Sequence, residues 1–185
     1  MTGADAQKAL LMPPCMSGFA WNKLYQLDII KAHRLKFLDD VGTTEDLDFA
    51  FRYLQFCDSV CFAPEIRVYH YYQRSGAATH SGFSVKKLQS IHTYEKMIDI
   101  AGQTSEIGRA AKEEICNTAI NLLPIYLNSG IEDEVSYLKI KEYIQKYYFD
   151  YQKSSRYSKG RKIQAVLARY VPRLYCTIKN IVSHE

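Results

Sequence analysis

From residue 84 to the end of the chain, apolar residues recur at intervals of three and four with few breaks, and this periodicity limits the fold more than any other feature. Leu88, Ile91, Tyr94, Ile98 and Ala101 mark one helix. Ile107, Ala111, Ile115, Ala119, Leu122 and Tyr126 mark a second, with a disturbance expected near Pro124, which lacks an amide and crowds the preceding turn. A third helix is expected over 132–148. Ile163, Val166, Leu167, Tyr170, Leu174, Ile178 and Ile181 then give the last segment an apolar stripe, kinked or interrupted at Pro172. Such a pattern demands a helical bundle.

Residues 1–83 have a different character. Short apolar runs alternate there with turn signals such as Ser17-Gly18, Asp39-Asp40, Gly42, Pro64 and Ser75-Gly76. Leu47, Ala50, Phe51, Leu54 and Cys57 predict an amphipathic helix over 45–57, with Thr43 as its cap and Asp46 at the third helical position of a capping-box variant. A shorter helix is expected over 28–33, after an extended stretch at 21–25. Residues 60–63 and 66–71, rich in β-branched and aromatic side chains and separated by Pro64, read as strands. The expected fold class is therefore α/β but mostly helical: a small α/β piece over 1–83, then a helical region over 84–185.

Composition narrows the field further. With 47% hydrophobic and 24% charged residues, the 185-residue chain can bury a core and is neither disordered nor collagen-like. No apolar stretch is long enough to span a membrane, and no cationic start precedes the first apolar run as a secretory signal would require. The five cysteines are scattered without a CxxC pair, as expected of reduced thiols in a cytoplasmic protein. The net charge of +4 is unevenly placed: from Gln152 onward there are eight Lys or Arg, and Glu185 is the only acid. A basic tail of this kind suits an anionic surface, or is simply a solvated face.

Three constellations could carry chemistry. Between Asp39 and Asp48, five carboxylates surround a turn and a helix start. One of them could act as a general base toward a hydroxyl, or a pair could hold a divalent cation; acids there also complement the helix dipole and cap free amides. Asp46-Leu47-Asp48 matches DxD in form, but it lies inside an amphipathic helix and no apolar strand leads into it, so it is not assigned as a metal motif. His70 and Arg74, in Tyr69-His70-Tyr71-Tyr72-Gln73-Arg74, could reach phosphate oxygens, or could satisfy loop carbonyls. Trp21 and Asn22 could stack on and orient a sugar, although a lone Trp is as often a core anchor. There is no P-loop, GxGxxG, HExxH, GxSxG or zinc spacing.

In order along the chain come Phe19-Ala20-Trp21-Asn22-Lys23-Leu24-Tyr25, Leu35-Lys36-Phe37-Leu38-Asp39-Asp40, Thr44-Glu45-Asp46-Leu47-Asp48-Phe49, Ala63-Pro64-Glu65, and the run from Val68 to Thr79. This succession resembles the C-terminal half of family-2 glycosyltransferases of the GT-A fold, especially bacterial enzymes that build capsular or lipopolysaccharide glycans. The resemblance implies a partial GT-A-like small sheet with flanking helices, followed by the helical bundle. It also implies inverting transfer of a sugar from a nucleotide-sugar donor to a glycan or lipid-linked acceptor hydroxyl. Asp46 would be the general base and Glu45 would orient it or the acceptor. His70 and Arg74 would lie near the diphosphate or its metal, and Trp21 and Asn22 on the acceptor side. A divalent cation, Mg or Mn, is implied for the complete enzyme, with no metal ligand in this chain.

Enzymes of that family begin with a nucleotide-binding α/β half that ends in an apolar strand and a DxD. Residues 1–18 supply neither, so the expectation is a truncated product or one piece of a split enzyme, inactive alone. The alternative is a non-catalytic helical interaction module descended from such an enzyme. For partners, the apolar stripe opposite the bases of the tail favours an anionic membrane surface, at its cytoplasmic face, over nucleic acid. Self-association into a homo-oligomer is the other way to cover apolar surface left bare by an absent half.

Overall fold

The computed structural model describes residues 1–12, 16–63, 65, 66, 70, 72 and 82–182. Its helices are α1 (Gly3–Leu11), α2 (Leu27–Ala32), α3 (Glu45–Leu54), α4 (Val85–Gln89), α5 (Ile91–Ala101), α6 (Glu106–Leu127), α7 (Glu134–Lys153), α8 (Lys159–Tyr170) and α9 (Pro172–Val182), with a 3-10 turn at Asp39–Val41.

The protein is mostly helical, and the helical bundle expected after residue 84 is present. At its centre α6 touches α1, α5, α7, α8 and α9. Its buried Ala111, Ile115, Ala119, Ile120 and Leu123 supply much of the core, together with Ile140, Ile144 and Tyr151 from α7 and Ile91 and Met97 from α5. Pro124 does not end α6, which runs on to Leu127. The proline forgoes the one bond its amide would have made to the Ile120 carbonyl, and the helix continues for a turn beyond it, the Asn128 amide donating to the Pro124 carbonyl at 3.0 Å. Pro172 does interrupt the tail: Val171 leaves the helix, and Pro172 opens α9, where its missing amide costs nothing. α7 continues beyond the expected end at Tyr148, because Tyr151 is fully buried.

The small sheet expected in the first part is not formed: among the described residues there is no strand. At 60–63 the backbone is irregular, and the reason lies in what it pairs with. The Val60 amide donates to the Met1 carbonyl at 2.8 Å, and the Met1 amino group donates to the Val60 carbonyl at 2.9 Å. One such pair satisfies two backbone groups but starts no ladder, since a strand needs a neighbour as well as β-propensity. Of the 66–71 run, Ile66 and His70 are irregular, and Arg67, Val68, Tyr69 and Tyr71 lie outside the described residues.

Instead, α1 holds the first part together. Thr2 and Asp5 form a reciprocal capping box, each side chain accepting from the other's amide at 3.1 Å. α1 packs on α3 and α6, and its buried Gln7 side chain donates to the Phe51 carbonyl at 2.9 Å. The apolar core runs without a break from α1 and α3 into α5, α6 and α7. Arg156, in the connection between α7 and α8, closes this packing. Its guanidinium donates to Glu113 Oε2 (3.0 Å), Glu114 Oε1 (2.6 Å) and the carbonyls of Ala110 and Leu11.

Candidate functional site

The start of α3 is fixed from two directions. Gly42, at φ +64°, lies so close to the α4–α5 junction that a Cβ would meet the Lys86 carbonyl oxygen at 1.8 Å. Only glycine takes that conformation and that approach without strain. Thr44, rather than the expected Thr43, is the N-cap residue, and its hydroxyl makes no bond to the helix amides. It reaches instead to the carbonyls of Val41 (2.8 Å) and Ser90 (3.2 Å) and to the Thr93 hydroxyl (2.7 Å). The helix start is thereby tied to the bundle rather than capped by its own threonine.

Over this helix start runs a strap of residues 16–25. Gly18 rests on Leu47, its missing Cβ leaving room for a side chain that would otherwise lie 2.8 Å away. The Ala20 amide donates to Asp46 Oδ2 at 3.1 Å. Trp21 and Asn22 follow in a turn, where an extended segment was expected. The Lys23 ammonium folds back to donate to the carbonyls of Ser17 and Phe19 and to Asn22 Oδ1, and the Asn22 amide donates to Ser17 Oγ at 2.7 Å. These bonds explain the turn: a buried amine gathers three oxygens, and extended chain could not supply them.

Asp46 is half-buried, and Oδ1 makes no hydrogen bond among the described residues. Two titratable groups lie within its electrostatic reach. Burial pulls the Lys23 amine down to about 8, and the charge on Asp46 opposes that shift. Burial pushes the Tyr25 phenol up to about 12, with Asp46 adding to the effect. The Tyr25 hydroxyl is buried and has no hydrogen-bond partner among the described residues, while its ring packs edge-on against Phe49 and Tyr53. The arrangement offers one carboxylate oxygen able to accept a proton, beside an amine whose three donors are spent within the strap and a phenol whose hydroxyl is buried.

The other acids of the cluster are dispersed. Glu45 is exposed in the first turn of α3. Asp40 pairs with Lys96 at 2.9 Å, which holds its carboxyl below the usual range. Asp48 is almost fully buried and bridges to Arg52 at 2.6 Å, and that guanidinium also donates to the Lys36 carbonyl. No group of three or more His, Cys, Asp or Glu among the described residues is placed to hold a metal ion.

The structure thus brings Asp46 beside the Trp21–Asn22 turn through Ala20. Trp21 stacks on Phe19, ring centroids 5.3 Å apart at 19°, and both rings are partly open to solvent. Asn22 is exposed but engaged within the strap. His70 is exposed in irregular chain, and none of the hydrogen bonds described around Asp46 involves it. Arg74 lies outside the described residues.

Two residues of this neighbourhood were not singled out from the sequence. Lys23 and Tyr25 were visible only as members of the Phe19 to Tyr25 segment, with no role assigned to either; an amine two residues after a tryptophan carries no signal of its own. Comparison with protein-family models, with curated proteins and with solved structures finds no significant match to this chain.

Proposed function

We propose that these residues form the acceptor-side, base-bearing part of an inverting glycosyltransferase of polysaccharide biosynthesis, acting with a nucleotide-binding half that is not among them. The supporting observation is the hydrogen bond from Ala20 to Asp46, which sets a carboxylate with one oxygen unbonded among the described residues next to a surface turn bearing an aromatic pair. Asp46 takes the proton from the acceptor hydroxyl as that oxygen attacks the anomeric carbon and the nucleoside diphosphate leaves from the opposite face. Glu45, one residue earlier, orients the acceptor. Trp21 and Asn22 line the acceptor side, and His70 and Arg74 serve the diphosphate. The divalent cation, Mg or Mn, belongs with the nucleotide-binding half. A glycan or lipid-linked acceptor places the reaction at the cytoplasmic face of a membrane. The reading draws on motif order and on the Asp46 geometry, and not on a sheet.

The test is binding and transfer measured in parallel. The chain alone should not bind a uridine-diphosphate sugar at micromolar concentration, and tight binding would overturn the proposal. With the nucleotide-binding half restored, transfer should appear and should require Asp46.

A second reading is favoured by a different observation. Phe19, Leu24, Leu27, Phe37, Phe62 and Ile66 are all at least 45% exposed, so the first part of the chain presents much uncovered apolar surface. A non-catalytic interaction module would use that surface for a partner protein. Indifference of the whole assembly to loss of Asp46 would select this reading.

A further inference from the structure

The helices α8 and α9 carry large apolar residues on their outer faces as well as toward the bundle. Toward α6 and α7, α8 turns the small Ala165 and Ala168, with Leu167 half-buried against the core, while three large apolar residues face outward: Ile163 is 59% exposed, Val166 38% and Tyr170 63%. α9 buries Tyr175 and Cys176 and exposes Leu174 (51%), Ile178 (40%) and Ile181 (61%). Val171, between the two helices, is 41% exposed. In a helix that merely closes a bundle these positions would be polar.

The charges carried by α8, α9 and the segment before them are of one sign, and acids come near only from outside that stretch, where Glu132 and Glu134 line a cavity with Arg173. From residue 152 to 182 there is no Asp or Glu. The structure divides the bases of this stretch into two groups. Arg156 is held by Glu113 and Glu114, Arg161 donates to Asn117, Asn121 and Gln164, and Arg169 lies over the Tyr148 ring at 4.3 Å. Those three are half-buried and engaged. Lys153, Lys159 and Arg173 are exposed, and Lys162 and Lys179 are half-buried; by helical phase Lys159 and Lys162 share or border the apolar face of α8, and Arg173 flanks that of α9.

We propose that the outer face of α8 and α9 docks on an anionic lipid surface, the apolar side chains entering the acyl boundary and Lys159, Lys162 and Arg173 meeting the headgroups. No helix among the described residues is long and apolar enough to cross a membrane, so the helices lie in the interface plane. Charge argues against a second copy as the occupant. A two-fold contact through this face would set its bases against those of the other copy, with no acid in the stretch to answer them. Nucleic acid would want the bases central, and here the centre is Ile163, Tyr170, Leu174 and Ile181. The proposal does not depend on the transferase reading.

Vesicle flotation of the full chain tests it, comparing pure phosphatidylcholine with phosphatidylcholine containing phosphatidylglycerol. Binding to the anionic vesicles is expected, weakening as salt rises. The triple variant Ile163→Glu, Leu174→Glu, Ile178→Glu, checked for unchanged helicity and melting, should lose it. The variant Lys159→Gln, Lys162→Gln, Arg173→Gln changes only surface charge and should weaken binding by about fivefold per base removed. Equal binding to neutral vesicles, or full binding by the charge variant, would overturn the proposal. So would a lipid-free dimer broken by the glutamate substitutions, or binding to a DNA duplex with none to vesicles.

Discussion

The carboxylate of Asp46 and the amide of Ala20, 26 positions apart in sequence, meet at 3.1 Å. The bond fastens the 16–25 strap to the first turn of α3 and leaves Oδ1 of Asp46 unbonded among the described residues. Asp46→Ala should therefore cost about 1 kcal/mol in urea unfolding, the usual worth of a partly buried hydrogen bond. Asp46→Asn keeps an acceptor for Ala20 and should unfold within a few tenths of a kcal/mol of the wild type. Equal loss in both variants would mean that the strap is held by something else.

Lys23 makes a pH-dependent contribution whose sign is fixed by its environment. Burial lowers the folded amine to about 8, against 10.5 for a freely solvated lysine. Below pH 8 both states carry the proton and the cost of burying the charge is fully present. Between about 8 and 10.5 the folded amine is neutral first while the unfolded chain still binds its proton, so stability rises with pH. The difference in unfolding free energy between wild type and Lys23→Met should move in favour of the wild type from pH 7.5 to 9.5. A difference that stays flat would contradict the burial.

Arg156 joins three parts of the chain, and its loss strands two carboxylates. Glu113 and Glu114 are each less than one-fifth exposed at the side chain, and Tyr157 also donates to Glu114 at 2.7 Å. Arg156→Met should destabilise by about 3 kcal/mol, the scale for breaking a largely buried pair by removing one partner. Arg156→Lys keeps the charge but not the fork that reaches both acids, and should fall between. A loss below about 1 kcal/mol for the methionine would show that the cluster is solvated.

The cysteines give a chemical check on the packing. Burial pushes the Cys116 thiol up to about 12, whereas Cys61 is exposed. Because the thiolate is the reactive form, iodoacetamide at pH 8 should label Cys61 more than about tenfold faster than Cys116 in the folded protein. Comparable rates, read by peptide mapping, would mean that the α6–α7 contact opens readily.

The helical half of the fold was legible because its signal is local and repeated. The Leu47 to Leu54 pattern marks α3, and the Ile107 to Tyr126 pattern marks α6, within a few residues of their observed ends. The strand expected at 60–63 was misread because β-propensity reports side-chain chemistry and not the presence of a partner: among the described residues Val60 pairs with Met1 alone, and the 66–71 run lies mostly outside those residues. Helix α1 escaped notice although Thr2 and Asp5 carry its capping signal. Arg156 was read only as one base of the tail, since nothing near it in sequence announces acids 42 and 43 positions away. At the site, the acidic cluster correctly pointed to the start of α3, but only the fold separates Asp46 from Asp40 and Asp48, which are committed to Lys96 and Arg52. The stripe of α8 and α9 was visible as a pattern, while its facing outward was not.

The most direct test of the catalytic account is release of nucleoside diphosphate from uridine-diphosphate sugars by the chain joined to the coding sequence directly upstream of it. A nucleotide-binding half is expected there. Asp46→Asn should lower turnover at least ~100-fold, the contribution of a general base, with melting temperature unchanged. Turnover that survives Asp46→Asn intact would contradict the account, as would an upstream sequence with no nucleotide-binding half.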